Sequence, residues 1–125
     1  MELNRAIAST TSWRDQVQQA ATHAKAVVAE VTRPDGVFTP VDDASVAGAI
    51  ASATAGAELV AAAAASDGAR AWPLFAMVAR AATDASAGVD ALAAMDPADL
   101  IDCQNVRMQF NTLAQSLDLI VQLSA

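Results

Sequence analysis

Apolar residues recur through most of this chain at alternating intervals of three and four positions, so they share one face of a helix. Four stretches have this pattern, and residues that favour turns separate them. The pattern predicts an all-α protein, an antiparallel bundle of about four helices near residues 11–32, 43–65, 70–94 and 97–123. A length of 125 residues is typical of a single domain.

Polar residues and a proline mark the ends of the first two predicted helices. Ser12 is placed to cap the first helix, with Asp15 at capping-box spacing. This helix must end before Pro34, because the residue preceding a proline is driven out of the helical region. Asp42 or Asp43 is expected to cap the second helix by accepting backbone N–H groups.

Glycine, proline and aspartate give the boundaries of the last two predicted helices. Ser66, Asp67 and Gly68 are expected to stop the second helix in a turn in which Gly68 is able to adopt the left-handed conformation, and Pro73 is expected to lie in the first turn of the third helix. Asp96 is expected to be the N-cap of the last helix, with Pro97 as its first residue and Asp99 two residues later. The short connections make the last three helices antiparallel neighbours, whereas the first packs alongside them or against another subunit.

The predicted helices differ in the size of the side chains on their apolar faces. The last helix has the bulkiest face, formed by Cys103, Val106, Phe110, Leu113, Leu117 and Ile120. The second helix has mostly small residues at Val46, Ile50, Ala53, Ala57, Val60 and Ala64. Leu, Ile, Val and Phe make up only 28 of the 125 residues, so alanine accounts for much of the 54% hydrophobic fraction. The core is therefore thin, and we expect the chain to form a homo-oligomer.

The charge and composition of the chain exclude several partners. Its formal net charge is −7, and its seven Lys and Arg residues are scattered, so neither nucleic acid nor an anionic membrane surface is an expected partner. Residues 44–65 are long enough to span a membrane, but they are mostly Ala, Gly, Ser and Thr, so we expect no transmembrane span. The first residues lack a signal-peptide pattern, and there is one cysteine, so we expect a cytoplasmic protein.

Groups that carry catalysis or bind metals are sparse. His23 is the only histidine, so we expect neither a histidine-activated nucleophile nor a histidine-rich metal site. Cys103 fits the apolar face of the last helix, and Glu58 fits the solvent side of the second. The five glycines form neither a phosphate loop nor a dinucleotide fingerprint. The sequence therefore predicts that the protein is not an enzyme and has no metal and no cofactor.

Residues 95–123 combine a proline near the helix start, a polar middle and a leucine-rich end. The features concerned are Pro97, Leu100, Ile101, Gln104, Arg107, the pair Gln109-Phe110, the pair Ala114-Gln115 and the closing leucines. With these features the segment resembles the C-terminal helix of bacterial phasins, the proteins that coat polyhydroxyalkanoate storage granules. The Ala-rich helices before it are also similar to that family, although the second and third contain few lysines and glutamates.

The resemblance implies a non-enzymatic protein that coats granules through amphipathic helices. One face of these helices would lie on the polyester or on another subunit, and the acidic face would point toward the cytosol, where like charges keep granules apart. The residues expected to contact the granule or another helical protein are Leu100, Val106, Phe110, Leu113, Leu117 and Phe38. Phe38 lies in the loop between Pro34 and Pro40, where it either pins the loop down or is exposed for a partner.

Two other classes of function fit the same sequence. The first is a helical adaptor or dimerisation module that binds another protein through the apolar face of the last helix. The second is a small-ligand carrier or an enzyme with a pocket between the Ala-rich helices, where small side chains leave space.

Overall fold

The protein is described by a computed structural model that covers residues 12–32 and 41–125. Within those ranges there are five helices and no strand. The helices are α1 (Trp13–Glu30), α2 (Asp43–Ala64), α3 (Asp67–Ala71), α4 (Phe75–Ala94) and α5 (Leu100–Leu123). They pack against one another, so the predicted all-α bundle is confirmed.

The four long helices form a ring in which each packs against its neighbours in the chain. Contacts join α1 to α2, α2 to α4 and α4 to α5, and the ring closes where α5 packs against α1. Gly48 faces Glu30 and Gly56 faces His23, so α1 and α2 run in opposite directions. Since α1 occupies its place between α2 and α5, the first helix completes the bundle of its own chain.

Side-chain caps begin the first two helices where the sequence predicted them. The hydroxyl of Ser12 accepts a hydrogen bond from the backbone N–H of Arg14 at 3.0 Å. The Asp42 carboxylate accepts one from the backbone N–H of Ser45 at 2.7 Å. These oxygens satisfy backbone donors that have no partner within the helix.

The segment between α2 and α4 differs from the prediction. Gly68 does not end α2 in a left-handed conformation, because it lies within the short helix α3. Ser66 begins α3 by accepting the backbone N–H of Ala69 at 3.1 Å. Pro73 lies in the turn that follows, and α4 begins at Phe75, so the third predicted helix is divided in two.

The start of α5 also lies later than predicted. Asp99, and not Asp96, is the N-cap, and its carboxylate accepts from the backbone N–H groups of Ile101 and Asp102. Asp96 instead accepts the backbone N–H of Ala98 at 2.9 Å and so forms a turn of its own. Two aspartates three residues apart are both competent caps, and the one that fits the connection from α4 begins the helix.

The buried face of α5 matches the prediction, whereas that of α2 is rotated from it. All six predicted positions of α5 are buried, and Ala114 joins them. The buried positions of α2 are Ala49, Ala53, Gly56, Val60 and Ala63. Of the predicted α2 positions, Val46, Ile50, Ala57 and Ala64 are only half-buried. Because Ala and Gly make up 13 of the 22 residues of α2, its own pattern barely distinguishes one face from another, and packing against α1 and α4 selects the buried face.

Two glycines with different surroundings test the packing between α4 and α5. A Cβ atom at Gly88 would lie 2.8 Å from Cζ of the buried Phe110 ring, whereas at Gly48 the nearest atom would be in the Glu30 carboxylate at 3.6 Å. We expect Gly88→Ala to lower the free energy of unfolding by about 1 kcal/mol or more, because overpacking outweighs the gain in helix propensity. Gly48→Ala is expected to raise it by about 0.5–1 kcal/mol. Urea unfolding followed by circular dichroism measures both, and equal stabilisation would contradict the close packing at Gly88.

Candidate functional site

Four of the six residues predicted to contact a partner lie in the interior of the bundle. Val106, Phe110, Leu113 and Leu117 have exposed fractions of 4%, 1%, 6% and 1%. Leu100 is half-buried at the start of α5. Phe38 lies outside the described residues. We call the buried face of α5 the inner face, and it can contact a partner only if α5 separates from its neighbours.

The inner face of α5 brings bulky side chains against helices that present mainly small ones. The Phe110 ring contacts the backbone surface at Gly88 on α4. Phe110, Leu113 and Leu117 border one small internal cavity, whose other walls come from Ala20, Ala24, Ser52, Ala53, Gly56, Ala57, Val60 and Ala85. The cavity volume is about 10 Å³, far below the roughly 300–1,000 Å³ of a small-ligand pocket. The interior at this place is closely packed.

A second apolar surface lies on the opposite side of α5. The described residues include five large exposed hydrophobic side chains, and four of them belong to α5. These four, which we call the outer stripe, are Ile101 (69% exposed), Met108 (64%), Leu119 (44%) and Leu123 (49%). At 100° per residue, the first three fall within about 20° of one line along the helix. The α5 helix therefore has a continuous apolar inner face and, on the opposite side, separate large apolar side chains among uncharged polar ones.

Charged residues of α5 lie only beside the outer stripe. Between Ile101 and Leu123 the charged residues are Asp102, Arg107 and Asp118, and all three are half-buried. The Asp118 carboxylate lies 3.0 Å from the ammonium group of Lys25 on α1. Amide, hydroxyl and apolar side chains fill the surface between them, which is unusual in a chain with a net charge of −7.

The outer stripe was not predicted from the sequence. The signal was present, because Ile101, Met108 and Leu119 are separated by 7 and 11 residues, both close to whole numbers of helical turns. The more regular inner face of the same helix accounts for most of its apolar residues, so the remaining ones read as isolated surface positions.

The groove between α4 and α5 contains open space. Two cavities of about 350 and 300 Å³ lie along it and open to solvent. Asp84, Thr112 and Ser116 line both of them. The contact between α4 and α5 is also less extensive than the other three. Separation of these two helices therefore breaks fewer contacts than separation of any other neighbouring pair.

The side chains that the sequence offered for catalysis or metal binding are those of His23, Glu58 and Cys103. His23 is half-buried at the interface with α2, and Glu58 is exposed. Cys103 is 3% exposed, and its sulfur lies 3.6 Å from the backbone oxygens of Asp96 and Pro97. Among residues 12–32 and 41–125, no three His, Cys, Asp or Glu side chains are grouped so that they could hold a metal ion.

One helix in the described ranges has the length and composition of a membrane span. Helix α2 has 22 residues and a mean hydropathy of 1.5, and 28% of the apolar window is buried in the bundle. Core helices of soluble proteins have similar length and hydropathy, so these properties alone indicate a span only weakly.

Comparison of the chain with protein-family models, curated proteins and solved structures finds no match.

Proposed function

We propose that this chain is a non-enzymatic, phasin-like protein that coats polyhydroxyalkanoate storage granules in the cytoplasm. The observation that supports this most directly is the inner face of α5, a continuous row of bulky apolar side chains packed against helices rich in Ala and Gly. In the proposed mechanism the bundle opens between α4 and α5 when it meets the granule, and the inner face of α5 moves onto the polyester.

The energetics of such a change follow from side-chain size. Burial of each Leu, Ile, Val or Phe side chain contributes about 1.5–3 kcal/mol, so opening the bundle in water is costly. Contact between the same side chains and an apolar polymer restores much of this burial. The facing surfaces of α2 and α4 contribute mainly Ala and Gly, each with little apolar area to expose. Opening on the polymer therefore costs far less than opening in water.

The distribution of charge supports a role as a protein layer on the granule surface. The chain has a net charge of −7, and acidic residues are exposed on helices and turns around the bundle, among them Asp15, Asp43, Glu58, Asp84 and Asp90. With α5 on the polymer, much of this charge would point away from the granule. Coated granules would then repel one another through their like charge.

Co-sedimentation with polyhydroxyalkanoate granules tests the proposal. The protein is expected to pellet with granules and to stay in the supernatant without them or with silica particles of the same size. Equal recovery with and without granules would contradict granule binding.

A matched pair of variants tests whether α5 makes the contact with the granule. Val106 on α5 and Val60 on α2 are both buried, at 4% and 0% exposed, so Val→Thr places a hydroxyl in the core at either site. We expect Val106→Thr to weaken granule binding about fivefold relative to Val60→Thr, because an apolar contact worth roughly 1 kcal/mol is lost at the polymer. Equal granule binding by the two variants would contradict a granule contact made by α5.

The alternative is a helical adaptor that packs the inner face of α5 against a helix of another protein. The 3,4 spacing of that face, with buried residues from Cys103 to Ile120, is typical of helix–helix packing and favours this candidate. A purified helical partner that binds the chain with one-to-one stoichiometry, together with failure to pellet with granules, would favour the adaptor. A protein that is a monomer in light scattering and binds no partner would exclude it.

A further inference from the structure

The outer stripe of α5 faces solvent in the closed bundle and takes no part in the proposed granule contact. We propose that it binds a second copy of this chain, with the two α5 helices side by side and antiparallel and a twofold axis near Thr112. This self-association uses the face of α5 opposite to the one assigned to the granule, so it is independent of granule binding.

The spacing of the outer residues fits a helix–helix contact. Solvent-facing positions alternate by four and three residues through Ile101, Asn105, Met108, Thr112, Gln115, Leu119 and Gln122. This is the rhythm of a coiled-coil seam, and it continues for about 33 Å of helix at 1.5 Å per residue. All seven residues are exposed, and none is charged.

Net charge restricts where two copies can meet. Each chain carries a charge of −7, so copies repel each other over most of their surface. The outer surface of α5 is free of charge along its centre line, with Asp102, Arg107 and Asp118 at its edges. Contact along this line therefore brings no like charges of α5 together, and Asp84 of α4, which lines the same groove as Met108 and Thr112, lies 3.9 Å from the cation of Arg80.

Charge complementarity selects the antiparallel arrangement. Arg107 and Asp118 lie on the same edge of α5, within about 20° of each other around the helix, and their positions are nearly symmetric about Thr112. Antiparallel pairing places Arg107 of each copy opposite Asp118 of the other, so that each Asp118 carboxylate, which lies 3.0 Å from Lys25 of its own chain, gains a second cation across a twofold interface. Parallel pairing would instead bring this edge against the opposite edge of the other helix, whose one charged residue is Asp102, five residues from the level of Arg107. Arg107 has no ion pair or hydrogen bond to another side chain in the part of the chain that the structure describes.

The same arrangement brings the apolar ends of the stripe together. With Thr112 at the axis, Ile101 of one copy lies opposite Leu123 of the other, and Met108 lies beside the axis in both copies. One pair of helices gives an interface at the small end of the range, below about 1,200 Å² in total, so we expect a weak dimer that depends on concentration.

Sedimentation equilibrium of the full chain, without granules, measures this dimer. We expect Arg107→Glu to weaken dimerisation at least about tenfold, because two attractive contacts become repulsive. The double variant Arg107→Glu/Asp118→Arg is expected to dimerise more tightly than Arg107→Glu alone, because it restores the attraction across the interface even though it breaks the ion pair between Lys25 and Asp118. Arg70→Glu, on exposed α3, makes the same change in net charge and is expected to have little effect. Circular dichroism verifies that each variant is folded.

A cysteine at the axis tests the geometry separately. Thr112→Cys is expected to form a disulfide-linked dimer under mild oxidation, and Thr54→Cys, at an exposed position on α2, is expected to remain largely monomeric. The native Cys103 is 3% exposed and does not compete. A chain that is monomeric at all concentrations would overturn the proposal. A dimer whose dissociation constant is unchanged by Arg107→Glu and that does not cross-link at position 112 would also overturn the proposal, since the copies would then meet on another face.

Discussion

Replacing Phe110 by alanine is expected to lower the free energy of unfolding by about 3–5 kcal/mol, the largest effect of any single side chain in the bundle. Phe110 is 1% exposed, contacts Gly88 on α4 and borders the internal cavity between α2 and α5. The surrounding side chains are mostly Ala and Gly, which cannot extend into the space left by the ring. The space left by the ring therefore remains as an enlarged cavity, and the lost contacts are not replaced.

Phe75→Ala is the matched control, because Phe75 is half-buried at the first turn of α4. Its loss is expected to cost clearly less than that of Phe110. Urea unfolding followed by circular dichroism gives both values, and trimethylamine N-oxide keeps Phe110→Ala folded if it is too unstable in buffer. Equal effects of the two substitutions would contradict a core centred on α5.

Cross-linking α4 to α5 is expected to reduce granule binding at least about tenfold, because only the open bundle presents the inner face and the cross-link removes that state. Asp84 and Ser116 line the same two cavities in the groove between these helices. The variant Asp84→Cys/Ser116→Cys can be bridged across the groove by a short bismaleimide. Neither residue belongs to the buried core, so the unbridged variant is expected to bind as the natural chain does.

Each single-cysteine variant treated with the same reagent is the control for chemical modification. These proteins carry the reagent but no bridge, so they are expected to bind granules normally. If the bridged protein pelleted as well as the unbridged one, the granule contact would not require α4 and α5 to separate.

The sequence predicted α5 better than α2 for a physical reason. On α5 the buried positions carry Phe, Leu, Ile and Val, and most other positions are polar, so one face is clearly distinguished. On α2 both faces consist largely of alanine, and Gly56 is buried although no pattern marked it. Its buried face depends on the shapes of α1 and α4, which a periodicity within α2 does not contain.

Local boundary signals located the starts of the first two helices to within one residue. Ser12 and Asp42 cap helices as predicted. Asp96 and Asp99 both have the chemistry of a cap, and the choice of Asp99 depends on how the chain leaves α4. Gly68 allows a left-handed turn but does not impose one, and the hydroxyl of Ser66 made a further short helix possible.

The predicted contact residues illustrate what periodicity determines. An apolar face that repeats by three and four must be covered, but the repeat does not say whether the cover is the same chain, a second chain or a polymer. Val106, Phe110, Leu113 and Leu117 are covered by their own bundle. Exposure along the outer stripe depends on which side of α5 faces its neighbours, and this becomes known only from the packed structure.

Pulsed electron paramagnetic resonance between spin labels at positions 84 and 116 measures bundle opening most directly. In solution we expect one short distance across the α4–α5 groove. On granules, with labelled protein diluted in unlabelled protein so that only distances within one chain contribute, we expect a shift to clearly longer distances as the inner face of α5 moves onto the polymer. A granule-bound protein that keeps the short solution distance would contradict opening between α4 and α5.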